Sequence, residues 1–354
     1  MNVKEQKIRF ISRADYPDNP VDRMRCFNVI QGLRAKGYDV GLYQGGEELD
    51  ALVTLSLDFP KWSDLYEQCF HSNIPVILNL AENEFVRSAK LTRKKTRTFV
   101  SELFDARHTL GKIQGFFRRR EFDQSFFPFV KECSAVVGCS RIIVRDAQSY
   151  AKCSYFIADA VDQNNYQARK EYTQKGPYTI GWLGVPTGLH FLLPLNKALQ
   201  QLQKKYGVGV TLITSPDYRD LSHAAVRQFT FQFKFVQWSL DSVARSLTSC
   251  DIGIAPLPHD SYKSSNKLVT YWAVGLPVVA SPTYEYSQVI VHGENGFIAK
   301  DSKDWERLLE QLLLDGELRR EVGLAGLHVA SQHYTIEKVT EQWAQVLTEV
   351  LEGH

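Results

Sequence analysis

DIGIAPLPHDSYKSSNKLVTYWAVGLPVVASP, Asp251 to Pro282, is the stretch whose reading decides the fold. Ile252–Ala255 and Val278–Ala280 are short apolar runs of the kind found in strands buried in a parallel sheet. Between them the pattern predicts a polar loop, His259 to Ser265, and then a helix of about ten residues opening at Asn266 and ended by Gly275 and Pro277. In open α/β sheets ligands collect where strands end and helices begin, and this loop sits there. Ser264 or Ser265 is placed to cap the helix, whose free N–H groups and positive dipole end would face an anion. Lys267 adds a full positive charge in the first turn. These residues outline a phosphate site. The plainer alternative is a solvated loop whose lysine reaches out to water.

Outward from this stretch the same alternation recurs. Tyr178–Leu183, Val210–Ile213 and Phe231–Val236 read as strands. Gly184-Val-Pro-Thr-Gly188 reads as a tight turn leading into a helix that ends near Tyr206. Ser242–Leu247 and Trp305–Leu314 read as helices, and Glu337–Leu351 as a last amphipathic one. In the first half, Ile8–Ile11, Val40–Tyr43, Ala51–Leu57, Pro75–Leu80, Ala135–Cys139 and Tyr155–Ile157 are strand-like. Helical spacing appears from Cys26 to Lys36, in Leu65–Phe70 and from Ser140 towards Tyr150. Strands alternating with helices predict parallel sheets. At 354 residues the chain exceeds what one core usually organises, so two domains are expected. Gln163–Pro177 is polar and ends in Gly-Pro, as a linker would.

Residues 87 to 120 break the rhythm with eleven lysines and arginines against two acids, Glu102 and Asp105. Phe99, Phe104, Phe116 and Phe117 are interleaved, and Phe122, Phe126, Phe127 and Phe129 follow. A basic, aromatic helical segment of this kind can lie on an anionic membrane face. The alternative is a solvated basic face with the phenylalanines in the core. A net charge of +2 gives no whole-molecule attraction to nucleic acid, and no nucleic-acid partner is expected. The six cysteines lack metal spacing, so no metal is expected. The start is too charged for a secretory leader and no apolar run reaches membrane-spanning length, which points to a cytoplasmic protein. No Gly-x-Gly-x-x-Gly follows the first strand and no Walker lysine occurs, which argues against a dehydrogenase or a P-loop NTPase. Two Rossmann-like halves with a phosphate loop in the second suggest a nucleotide held in a cleft between them.

Lys267-Leu-Val-Thr-Tyr-Trp-Ala-Val-Gly275-Leu-Pro277-Val-Val-Ala-Ser281 resembles the K-L-x-E-Y-M-A-x-G-x-P-V-V-A-S stretch of family 4 glycosyltransferases of the GT-B fold. Ile180-Gly-Trp-Leu-Gly-Val-Pro-Thr187 is similar to a G-W-x-G-x-x-x-T turn of that family, and Trp238, Asp251–Leu257 and Gly293–Phe297 fall in the order it shows. In the first half, Asp22-Arg23-Met-Arg25 is similar to an R-x-R helix opening. Val76–Asn83 takes the place of a V-I-x-D-x-D-D strand end, and Ile157–Asp162 resembles an I-P-N-G-V-D closing segment.

The resemblance implies an α/β GT-B architecture of two Rossmann-like domains facing across a cleft, the C-terminal helix crossing back to the first. The expected divisions are an acceptor domain 1–165 carrying the basic segment 87–129, a linker 166–177, a donor domain 178–335 and a C-terminal helix 336–354. It implies a nucleotide-sugar donor as substrate, no separate cofactor, a glycan or lipid-linked acceptor and retention of anomeric configuration, as in bacterial surface glycan synthesis. By position, Thr187, Asn266 and Lys267 would meet the diphosphate, Gly184, Ser264 and Ser265 would line its loop, and Trp238 would border the base. Fixed N–H dipoles and a lysine can stabilise charge on a diphosphate leaving group without metal. Arg23 or Arg25 could add charge from the first domain, with Glu82 and Glu84 as candidates for hydroxyl contacts.

The chain departs from the family pattern where two glutamates are usual, since Tyr262 and Thr270 occupy those places. An inactive GT-B partner subunit is therefore the alternative. A sugar epimerase on the same fold, using Glu82, Glu84 and His259, is a more distant one.

Overall fold

The computed structural model describes residues 2–13, 19–85, 124–172, 176–215 and 223–353. The chain divides into two compact units, Met1–Ala158 with Thr340–His354, and Asp159–Val339.

The first unit is built on a parallel six-stranded sheet of β1 (Ile8–Ile11), β2 (Val40–Leu42), β3 (Ala51–Thr54), β4 (Val76–Leu80), β5 (Ala135–Gly138) and β6 (Ser154–Phe156). The spatial order is β2-β1-β3-β4-β5-β6, so the winding reverses between β1 and β3. Ile8, Leu52, Ile77 and Val136 are fully buried, because a parallel sheet covered on both faces needs apolar residues on each. The last helix, Ile336–Glu352, supplies this unit from Thr340 onward, and its Trp343 sets an edge-on ring contact with Phe10 of β1.

The basic segment 87–129 lies outside the described residues up to 123. At its described end two of its phenylalanines follow the alternative reading, in which they belong to the core. Phe126 and Phe129 are buried in the first unit's core, Phe129 among the rings of Phe59, Tyr66 and Phe70 and Phe126 against Phe85. They anchor a helical stretch over residues 124–132 against β4 and β5.

The second unit carries β7 (Thr179–Leu183), β8 (Gly209–Thr214), β9 (Lys234–Gln237), β10 (Ile252–Ala255), β11 (Val278–Ala280) and β12 (Phe297–Ile298). They form a parallel sheet in the order β12-β11-β10-β7-β8-β9. This is the doubly wound dinucleotide-fold order, and its switch point falls between β7 and β10. The helix Asn266–Ala273 follows β10 and opens at the residue the sequence predicts.

Residues read as linker are partly docked. The Arg169 amide donates to the Val274 carbonyl at 3.1 Å, and the Arg169 guanidinium donates to the carbonyls of Thr248 and Cys250. The Tyr172 hydroxyl donates to the Gly275 carbonyl at 2.7 Å. Carbonyls left without a helical partner at the ends of two helices are thereby satisfied, which polarity alone would not reveal.

The helix Gly316–His333 is absent from the sequence reading because it contains three glycines and a weak apolar stripe. Two of those glycines permit close packing. A Cβ on Gly326 would lie 2.2 Å from the Trp272 ring, and one on Gly323 would lie 2.4 Å from the Gly275 carbonyl. None of the six cysteines is in a disulfide. Among the described residues no helix is long and apolar enough to cross a membrane.

Candidate functional site

Three elements of the second unit converge at the carboxyl ends of β7 and β10: the turn after β7, the loop after β10 and the helix Asn266–Ala273. Tyr271 ties them together. Its fully buried hydroxyl accepts the Leu183 amide of β7 at 2.8 Å and donates to the Ile254 carbonyl of β10 at 3.0 Å. One side chain of the helix therefore spans the switch point, and burial pushes its phenol well above the ordinary tyrosine range.

Lys267 lies one turn earlier. Its ammonium stands 4.8 Å from the centroid of the Trp182 ring of β7, within cation–π range. Among the described residues no carboxylate pairs with it. Burial, with a smaller contribution from Lys263, pulls its pKa down to about 7. Trp182 is fully buried, and its ring fills the space beside Gly184, where a Cβ would come within 2.5 Å of it. Gly184 is thus required by the ring on which Lys267 rests.

The helix start supplies free donors. The first backbone bond of this helix runs from the Val269 amide to the Ser265 carbonyl at 3.0 Å. Among the described residues the Lys267 and Leu268 amides have no acceptor. Ser265 is buried and its side chain does not cap the helix, which corrects that half of the capping expectation. The Ser264 hydroxyl instead accepts the Asn266 amide at 3.5 Å and donates to a carboxylate oxygen of Asp159 at 2.7 Å. Asn266 accepts the Thr270 hydroxyl on both its carbonyl and its side-chain oxygen, at 2.9 and 3.2 Å. Its NH2 group is left to donate.

Thr187 is exposed in the 3-10 turn Pro186–Leu195 that follows β7, and its carbonyl accepts His190 Nδ1 at 2.6 Å. Trp238 is half-buried beyond β9, with its amide on the Thr214 carbonyl at 2.8 Å. Gly184, Lys267, Asn266, Ser264 and Ser265 thus share the switch point, while Thr187 and Trp238 border the ends of β7 and β9. Thr270, where the resembling family carries an acid, is buried and bonded within its own helix.

Arg23 and Glu82 belong to the first unit. Arg23 is buried in the wide turn Arg23–Phe27 that opens the helix after β1. Arg25 is committed to structure, donating to Asn79 Oδ1 at 2.8 Å and to the Ile157 carbonyl at 3.1 Å. Asn79 returns a bond to the Arg25 carbonyl at 3.0 Å, so it serves packing rather than ligand contact. Glu82 is half-buried just beyond β4, and Glu84 is buried two residues later. Asp22 was not singled out as a site residue. It is fully buried, one carboxylate oxygen accepts the Arg13 amide at 2.6 Å, and the other has no partner among the described residues. Among the described residues no cluster of three histidines, cysteines or acids could hold a metal.

Residues 178–315 match the model of the family described as Glycosyl transferases group 1. A search of curated proteins returned no match to the sequence. Among solved structures, HepE of Anabaena, in complex with UDP and glucose, is similar at a TM-score of 0.69 and 14% identity, covering 97% of this chain and 100% of that one. A glycosyltransferase from Rickettsia africae is similar at 0.62 and 12% identity, covering 99% and 100%. Sucrose-phosphate synthase of Thermosynechococcus elongatus is similar at 0.64 and 13% identity, also covering 99% and 100%. The two-sheet architecture is the GT-B fold of these enzymes.

Proposed function

Since residues 178–315 match the group 1 glycosyl transferase model in a chain of GT-B fold, we propose that the protein transfers a sugar, with retention, from a nucleotide-diphosphate donor to a glycan or lipid-linked acceptor. One observation carries this reading. An ammonium and two helix amides that have no partner among the described residues meet at the switch point of a doubly wound sheet. A diphosphate leaving group gathers negative charge as the glycosidic bond breaks, and fixed donors in a half-buried site stabilise that charge without reorganising. Lys267, the Lys267 and Leu268 amides and the Asn266 NH2 group are assigned to the diphosphate, which makes the transfer independent of metal. Gly184, Thr187, Ser264 and Ser265 line this site and Trp238 borders the base.

Within the first unit, Glu82 is assigned to an acceptor hydroxyl and Arg23 is the candidate cation. The UDP found in Anabaena HepE supports a uridine nucleotide as the first probe. Titration of the protein with UDP and GDP, with and without Lys267→Ala, tests the reading. Binding of neither nucleotide would end it.

A second reading is favoured by Thr270. Its hydroxyl is turned onto the Asn266 carbonyl, and no acid stands there to grip a ribose. On that reading the chain binds nucleotide weakly and serves as an inactive partner subunit. Release of UDP from UDP-sugars by the purified protein separates the two.

The basic residues between 87 and 120 favour attachment to an anionic membrane face, as expected of an enzyme building bacterial surface glycans from lipid-linked acceptors. Co-sedimentation with phosphatidylglycerol vesicles tests this, and a variant with several reversed charges should stay in the supernatant.

A further inference from the structure

We infer that Asp159 is a positioning residue for the donor loop, acting through Ser264. The inference rests on the donor-site reading above. Asp159 is the first residue of the second unit and lies 105 positions before Ser264, yet its carboxylate accepts the Ser264 hydroxyl at 2.7 Å. It is nearly buried, at 8% exposure. The segment that carries it is itself fixed, since the Val161 amide donates to the Tyr334 carbonyl at 2.9 Å and Val161 bridges Thr335. Within the loop, the Ser261 amide donates to the Pro258 carbonyl at 3.0 Å and the Lys263 amide to Ser261 Oγ at 3.3 Å. Asp159 ties the loop to a distant, anchored part of the fold.

The chemistry of the pair fixes the direction of the proton. An ionised carboxylate only accepts, so the Ser264 proton is spent on Asp159. The serine oxygen then presents lone pairs, and these face the Asn266 amide. Ser264 therefore caps the helix start instead of donating to a ligand, and the next two amides keep their hydrogens for an anion. The arrangement also carries a cost. A carboxylate near a diphosphate site repels it, so Asp159 trades some attraction for loop order. An asparagine would keep an acceptor oxygen and remove the repulsion, and an alanine would lose both.

Two measurements on the full chain separate the parts of this inference. The first is hydrogen–deuterium exchange without ligand. In Asp159→Ala the amides of residues 261–266 should exchange faster, and in Asp159→Asn they should stay as in the parent. Unchanged exchange in Asp159→Ala overturns the inference whatever the ligand. The second is titration with UDP. Asp159→Ala should weaken binding about fivefold to tenfold, roughly the net worth of one ordinary hydrogen bond, since the lost order is partly offset by the lost repulsion. Asp159→Asn should bind as tightly as the parent or a few-fold tighter. Ser264→Ala should match Asp159→Ala, and the double variant should be no worse than either single one, because the two remove the same tie. Faster exchange with unchanged UDP affinity overturns the positioning role but leaves the donor site standing. Failure of the parent to bind UDP or GDP overturns the donor site itself, and the positioning role with it.

Discussion

Lys267 holds its ammonium 4.8 Å above the ring of Trp182, joining the first turn of the helix after β10 to the last residues of β7. The lysine is half-buried, with an aromatic face beneath it and no counter-ion among the described residues. Burial has moved its pKa down to about 7. A charge held this way is costly to the empty protein and available to an anion.

The cost has a definite pH signature. Between about pH 7 and the ordinary lysine range near 10.5 the unfolded chain binds a proton that the folded chain lacks, so stability from this group rises with pH across that window. Below pH 7 the side chain is charged in both states and the burial penalty is fully present. Lys267→Met should therefore stabilise the protein most at pH 6 to 7, and the gain should shrink by pH 10. Urea unfolding at several pH values measures it.

The same pKa gives nucleotide binding a pH dependence of opposite sense. Above pH 7 the free protein must take up a proton to present the ammonium, so affinity for UDP should fall by up to about tenfold per pH unit between 7 and 9. Lys267→Met should bind weakly and lose this fall. Titration calorimetry in two buffers of different ionisation heat would show the proton uptake directly.

Tyr271→Phe removes the hydroxyl that spans the switch point. The Leu183 amide and the Ile254 carbonyl then lose their shared partner in a buried place, which should cost about 1–3 kcal/mol of stability. UDP affinity should fall as well, since the helix loses its tie to both strands. Chemical unfolding together with nucleotide titration checks both effects.

Arg25→Met leaves Asn79 Oδ1 and the Ile157 carbonyl without their buried donor, and should destabilise the first unit by about 2–5 kcal/mol. Arg25→Lys should recover only part of this, because an ammonium cannot reproduce the fork of the guanidinium. Thermal unfolding of the two variants distinguishes a positioned fork from a simple charge.

Much of the fold is legible in the sequence where the apolar runs are short and bounded. Ile252–Ala255, Val278–Ala280 and the helix opening at Asn266 stand where the pattern puts them, because buried parallel strands leave continuous apolar runs and the glycine and proline that end the helix are both present. The helix Gly316–His333 is invisible to the same reasoning. Gly323 and Gly326 look like breakers, and only the Gly275 carbonyl and the Trp272 ring lying against them show why no side chain fits. The β12 strand escapes for a simpler reason, being two residues long. At the site, the type and spacing of Lys267 and Asn266 suffice to nominate them. The roles of Trp182, Tyr271 and Asp159 do not follow from spacing, since each acts on a partner 85, 88 or 105 positions away. Arg25 shows the opposite error, a cation in a promising motif whose donors are consumed inside the fold.

The account turns on Lys267, and calorimetric titration of UDP at pH 7 into the parent protein and into Lys267→Ala tests it most directly. The account predicts saturable binding to the parent, weakened about tenfold to a hundredfold in the variant, as expected for the loss of a hydrogen-bonded charge. The melting temperature of the variant without ligand should be no lower than that of the parent. Equal affinity of parent and variant for UDP would contradict it.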